Sequence, residues 1–517
     1  MKLRSHALIV GLLVAGTFGA SAGAQAPKAP AAKPAIEFGS ITFPSSAKPA
    51  AQAPFLTGVM GLYNFEFDIA AEAFREAQKA DPAFALAYWG EAMSFNHPLW
   101  AQQDLPAARK VMERLAPTAA ARAAKAPAGK ERDLVESLEV LFGAGDKLAR
   151  DIAYADSLKA MHAKHPADDE IAILYSLALL GTGRPGVSNA RNAMQAAAIA
   201  QGIFQRNPKH PGAAHYIIHS FDDPDHAILS LTAAREYSKI APSAAHALHM
   251  PSHIFVQLGM WDDVIASNVV AYKAAVDLAV AKNLPRGRED FHTLGWLQYA
   301  YLQEGKFDEA QQCVDQAKAV ADKDTAGNVR DGYAAMKARQ IAETGKFEKL
   351  ALTVGPVKDG GAPGYDGNAA YVFAAGVSAA NLDDPATANL ALEKLKATRT
   401  QAESGSNAYR ARPFAIMEKE LAAVIAFMQK DTATAERLLK EATVIELTLD
   451  APSGPPDPIK PSFELYGTLL LDLNRPADAA AQFQQSLTRM PNRRAALDGL
   501  KRAQAKTAAT RSSQAQR

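Results

Sequence analysis

Seven of the twelve histidines in this 517-residue sequence fall between His210 and His253, and their spacing is regular. The segment HYIIH sets His215 and His219 four apart, and HMPSH does the same for His249 and His253. Residues four apart share one face of a helix, so each pair offers two imidazoles to one point. The second pair follows the first by 34 residues at both positions, and His246 stands three residues ahead of His249. Neutral imidazoles with a nearby carboxylate suit zinc, copper, nickel or ferrous iron; the spacing does not choose among them. Protons compete for the same lone pairs, so binding is expected to weaken as pH falls through about 6.5. The face His215, His219 and Asp222 supplies two imidazoles and a carboxylate and leaves positions open to water, as metal-assisted hydrolysis or oxygen chemistry requires. Because Asp223 and Pro224 follow, Asp222 is equally suited to capping a turn. An HExxH metalloprotease carries glutamate after its first histidine. Here Tyr216 and Met250 occupy that place, which argues against that reaction.

The elements that position these residues are read from the same period. Pro208 and Pro242 are also 34 apart, so each closes a unit and a new helix begins after it. In the segment FDIAAEAFREAQKADP, with Gly58 ahead of it, small and aromatic residues stand at Gly58, Ala70, Phe74, Ala77 and Pro82. The same offsets return at Gly467, Ala479, Phe483, Ser486 and Pro491. Weaker copies are Tyr154, Leu158, Met161 and Pro166, then Leu297, Tyr301, Gly305 and Phe307, then Ala435, Leu439 and Ala442. This pattern resembles the tetratricopeptide repeat (TPR) family, whose unit is a helical hairpin with small residues where the helices cross. The HYIIH and HMPSHIF segments are similar to those of exported bacterial TPR proteins, a group that brings no activity with it.

The resemblance implies an all-α, right-handed superhelical solenoid of helical hairpins over residues 54–501, with a concave groove suited to a peptide or protein partner. In TPR proteins the second, fifth and ninth places of the first helix face that groove. His215 and His249 fall at fifth places, His219 and His253 at ninth places, and His246 at a second place. Trp89 and Glu464 also take fifth places, while His292 and Tyr299 take the second and ninth of a later unit. His97 falls at the thirteenth place of an early one. These last five are candidates for groove binding. Arg286 and Arg288, just ahead of His292, are placed to attract an anionic ligand. Pro251 interrupts the helix between His249 and His253, a break that works against helix stability by about 3 kcal/mol.

Composition narrows the remaining classes. A chain with 48% hydrophobic residues buries a large core, and its formal net charge of +1 gives no field to recruit nucleic acid. A single cysteine, Cys313, excludes an internal disulfide framework and a thiolate zinc cluster. MKLRSH followed by ALIVGLLVAGTFGA has the basic and apolar regions of a signal peptide, and Ala20, Ala22 and Ala24 supply the small residues for cleavage. Residues 1–24 are therefore read as a cleaved signal peptide of a periplasmic or secreted protein, with no stable membrane insertion. Residues 25–53, rich in Ala, Pro and Lys, read as a linker, and 502–517 as a disordered tail. The resulting expectation is an exported scaffold binding a partner in its groove, with enzymatic activity not required. Its alternative is a metal-binding protein or metal-dependent enzyme using the histidine-rich face.

Overall fold

The computed structural model describes residues 36–515, apart from 188, 286–289, 325, 354–363 and 406–407. Residues 1–24, read above as a signal peptide, residues 25–35 of the linker stretch, and Arg286 and Arg288 lie outside the described residues. Two compact units divide the chain, Met1–Ile36 and Glu37–Arg517, and everything below concerns the second. Among its described residues the only paired strands are Asn96–His97 and Gln102–Gln103, two residues each and antiparallel. All other regular structure is helical.

The hairpins close where the 34-residue pattern puts its small residues. Helix Pro49–Tyr63 packs against Phe67–Ala80, and a Cβ added at Gly58 would come within 2.7 Å of the Phe74 ring. Gly90, on the next helix Ala85–Met93, abuts the same ring. Near the C-terminal end, Gly467 and Gly499 flank Phe483 in the same way, with a Cβ at Gly467 only 2.8 Å away. One aromatic knob thus fits between two glycines on successive first helices. Ala70, Ala77, Ala479 and Ser486 are wholly buried at these crossings. Each helix packs chiefly on its neighbours in the chain, because one apolar face is too small to stand alone. The protein is all-α, built of helical hairpins that stack in sequence, as in a TPR-like solenoid.

The described part of the linker stretch is packed, not free. Phe38 and Phe43 are buried, the Asn64 side-chain amide donates to the Phe38 carbonyl at 3.0 Å, and the Ser40 amide donates to Lys209 O at 3.0 Å. Two aromatic anchors are enough to hold a segment whose Ala and Pro content suggests otherwise. At the other end the chain is helical over Arg494–Ala515, with Ala503 buried. Helix Trp261–Ala281 is long and apolar enough to cross a membrane by length and composition. Its Trp261, Val264, Asn268 and Ala271 pack into the repeat stack.

Candidate metal centre

Three helix starts set the histidines in place. His210 caps helix Pro211–Ser220, its Nδ1 accepting the Ala213 amide at 3.2 Å, and Pro211 opens the helix where a missing N–H does no harm. His215 and His219 follow one turn apart on that helix. In the next unit the helix is written as Ala245–His249 and Pro251–Gln257, with Met250 between them still in helical conformation. Proline removes a hydrogen bond there without turning His253 away from His249. Helix Phe291–Gln303 begins at Asp290, whose carboxylate accepts the Thr293 amide at 3.1 Å, leaving His292 in the first turn.

These elements gather six imidazoles into two triads. His215, His219 and His246 form one; His249, His253 and His292 form the other, each with ligand atoms within 4.8 Å of one another. In the first, His215 Nε2 lies 3.0 Å from His219 Nε2 and 3.1 Å from His246 Nε2. In the second, His249 Nε2 lies 3.2 Å from His253 Nε2 and 3.1 Å from His292 Nε2. Nitrogens about 2.0–2.1 Å from a tetrahedral ion stand roughly 3.3 Å apart, so both triads are close to ligating dimensions.

The nitrogens behind these contacts fix the tautomers. His215 Nδ1 lies 2.7 Å from the Tyr63 carbonyl oxygen, which only accepts, so Nδ1 carries the proton and the Nε2 lone pair points inward. His249 Nδ1 faces Asn268 Oδ1 at 2.7 Å, and the Asn268 amide nitrogen is committed to Val264 O, so the same assignment follows. His253 Nδ1 donates to Asp222 Oδ2 at 2.7 Å. Backing a ligand imidazole with a carbonyl or carboxylate is the usual way its lone pair is aimed.

Burial holds His215, His219, His246, His249 and His292 below the ordinary imidazole value. His215 is pushed down to about 3, first by desolvation, with the Tyr63 hydrogen bond opposing. His219 and His246 are held well below the ordinary value by burial and by neighbouring imidazoles. Burial does the same for His249, followed by His292 and His253. His292, accessible at a cavity mouth but walled by protein, falls to about 4 through desolvation, with Asp290 opposing. Each triad also has one aromatic ring against all three imidazoles. Phe65 lies 4.4, 5.8 and 5.3 Å from His215, His219 and His246. Trp296 lies 5.1, 4.3 and 5.6 Å from His249, His253 and His292. Phe65 holds a left-handed backbone, φ 57°, rare for an aromatic residue and found where surrounding structure compels it.

The remaining candidates separate from this centre. Asp222 belongs behind His253 and joins neither triad, and it is Asp223 that caps the following turn, accepting from Asp225 and His226 amides at 2.9 and 3.0 Å. His292, read as a groove residue, completes the second triad. Trp89 and Tyr299 are interior, 0% and 2% exposed, and line no open groove, whereas Glu464, 1% exposed, lies at the wall of a cavity of about 650 Å³. Trp89 is part of the main apolar core. Glu464 is paired with the buried Arg493, whose guanidinium also reaches the Tyr299 hydroxyl at 3.3 Å. His97 stacks on Phe67 at 4.2 Å, outside both triads. Sequence reading missed Phe65, Trp296, Asn268 and the Tyr63 carbonyl. Only Trp296, four residues after His292 on one helix, left a signal in the spacing.

An open cavity of about 1150 Å³ adjoins the second triad, lined by His292, Trp296, Phe291, Arg339, Phe414 and the 449–457 segment among others.

No family model and no curated protein matches this chain. Among solved structures it is similar to the "APC/C hetero-tetramer Cut9-Hcn1" at 13% identity, covering 89% of this chain and 77% of that one, TM-score 0.36. It is similar also to a tetratricopeptide repeat protein from Parabacteroides merdae at 12% identity, covering 65% and 98%, TM-score 0.34. Yeast Tom70 matches at 11% identity over 90% of both chains, TM-score 0.32. The fold assignment rests on the chain's own hairpins.

Proposed function

We propose that this chain is a helical-repeat metalloprotein in which each histidine triad binds one transition-metal ion with a coordination position left for a further ligand. The observation that carries the reading is that one construction occurs twice. A pair of histidines four apart on one unit is joined by a histidine from the start of the next unit, and the first of each pair has its Nδ1 held by an oxygen. A polar network alone has no need of that duplication. Zinc, copper, nickel and ferrous iron all suit imidazole. The test is metal analysis and calorimetric titration of protein purified without a histidine tag. Two equivalents of metal are expected, and one equivalent in each of His219→Ala and His249→Ala. Binding no tighter than micromolar, or normal binding by both variants, would overturn it.

The cavity beside His292 supports a companion reading, that the repeat stack receives a small molecule or a peptide segment whose reactive end meets the second triad. Its apolar wall of Phe291, Met336, Trp296 and Phe414 suits an apolar body. Export belongs to the same proposal: the basic, apolar and small-residue order of residues 1–24 directs the chain across a membrane. Intact mass of the exported protein is expected to correspond to a start near Gly23 or Gln25, and an uncleaved Met1 would count against it.

A further inference from the structure

We infer that the two triads hold a pair of copper ions that bind one dioxygen molecule between them, an inference that rests on the metal reading above and narrows it. The donor set is the first reason. Six imidazoles provide all the ligand atoms of both triads, with no thiolate and no carboxylate among them. Such a set suits copper and excludes the ions that need oxygen ligands, magnesium, calcium and manganese. Charge is the second. Neutral donors cancel none of an ion's charge, so two divalent ions would place four positive charges beside three carboxylates, Asp222 behind His253, Glu66 against the His246 amide and Asp290 near His292. Burying uncompensated charge is unfavourable. Two cuprous ions place half as much.

Geometry is the third reason. Rings of opposite triads approach closely, His219 to His253 at 6.3 Å and His246 to His249 at 6.5 Å between centroids. Rings this close make the two triads direct neighbours, and the inference sets their ions within reach of one shared small ligand, as in two-metal sites. Cover is the fourth. Phe65 and Trp296 each lie against all three imidazoles of one triad, and Gly454 packs so tightly on the Trp296 ring that a side chain there would strike it. Aromatic cover on one side of each triad favours a small apolar reactant, which reaches the second triad through the open cavity at His292.

The electron count closes within the site. Each Cu(I) gives one electron, dioxygen accepts both and becomes a bridging peroxide dianion, and its O–O bond is reduced to single order without cleavage. No proton moves. Two cuprous ions carry a net +2, and two cupric ions with one peroxide carry the same +2, so the buried site changes oxidation state without changing charge.

The experiment is anaerobic titration of the full-length metal-free protein with Cu(I), followed by dioxygen, with electron paramagnetic resonance as the readout. Two coppers per chain, one dioxygen taken up per two coppers, and no cupric resonance from the oxygenated protein are expected, since paired cupric spins cancel. His253→Ala, and separately His219→Ala on the other triad, should each keep one copper, show its resonance after oxidation and lose dioxygen uptake. Circular dichroism confirms that the variants fold. A full cupric resonance from both ions of the parent protein, or uptake by either variant equal to the parent's per copper, would overturn the inference. Two zinc ions bound without dioxygen uptake by the copper form would overturn it while leaving the metal reading intact; failure of every metal to bind would remove both.

Discussion

Asp222 orients His253 from behind, and its other carboxylate oxygen is buried with no hydrogen-bond partner among the described residues. Removing an orienting group weakens a metal site without deleting a ligand. Asp222→Ala is therefore expected to lower metal affinity at the second triad by about 10–100-fold and to keep the stoichiometry, measured by competition with a chelator. The pH dependence follows from the neutral rings. An unfolded histidine takes up its proton near 6.5, whereas folded His215 and His292 do so only near about 3 and about 4. Between those values the unfolded chain holds more protons, so stability is full above about 6.5 and is lost as pH falls toward 4. Denaturation midpoints of the metal-free protein should drop between pH 7 and pH 5. The three rings of the first triad remain available as ligands in that window, so metal binding there should persist at pH 5.5, lower than free imidazole allows. A midpoint indifferent to pH over this range would contradict the burial of these rings. The pairs four apart were legible in the sequence because helical periodicity dictates them. The Tyr63 carbonyl was not, because a backbone acceptor leaves no mark in residue types.

At the scale of elements, the repeat depends on close crossings. Ala70 and Ala479 are wholly buried where hairpin helices meet, and Gly61 approaches Ala70 so closely that an added Cβ would lie 3.0 Å from it. Ala70→Leu and Ala479→Leu should each destabilise by about 1–3 kcal/mol through overpacking. Phe74→Ala, which empties the space between Gly58 and Gly90, should destabilise by about 3–5 kcal/mol. Chemical denaturation followed by circular dichroism checks both. The matching offsets of these residues within their units made them visible in advance, since only small side chains fit where two helices touch. The groove assignments of Trp89 and Tyr299 came from the same register and did not survive packing. Trp89 lies in the main apolar core, and Arg493 reaches Tyr299 from 194 residues away.

At the scale of the whole molecule, each triad joins consecutive units. The first is also braced by a distant one, because His215 is held by Tyr63, 152 residues earlier. A ligand that binds only the folded arrangement stabilises it by mass action. Metal at 100 times its dissociation constant should add about 2.7 kcal/mol for one site and raise the melting temperature in a concentration-dependent way. That rise should shrink in His246→Ala, which unlinks the two units of the first triad. Differential scanning calorimetry at several metal concentrations checks it, and a melting temperature unmoved by metal would contradict a clamp between units.

Periodicity by itself determined that the chain is a stack of helical hairpins, which residues lie at the crossings, and that His215, His219, His249 and His253 recur in register. Those properties depend on contacts three, four and about 34 residues apart, which a linear pattern carries. Tertiary structure alone decided that the histidines divide into two triads, that His292 replaces Asp222 as a member, and that Phe65 and Trp296 cover them. Each of those depends on contacts across 31 to 152 residues, through irregular turns such as the left-handed Phe65. A one-dimensional period holds no record of where such turns bring the chain back.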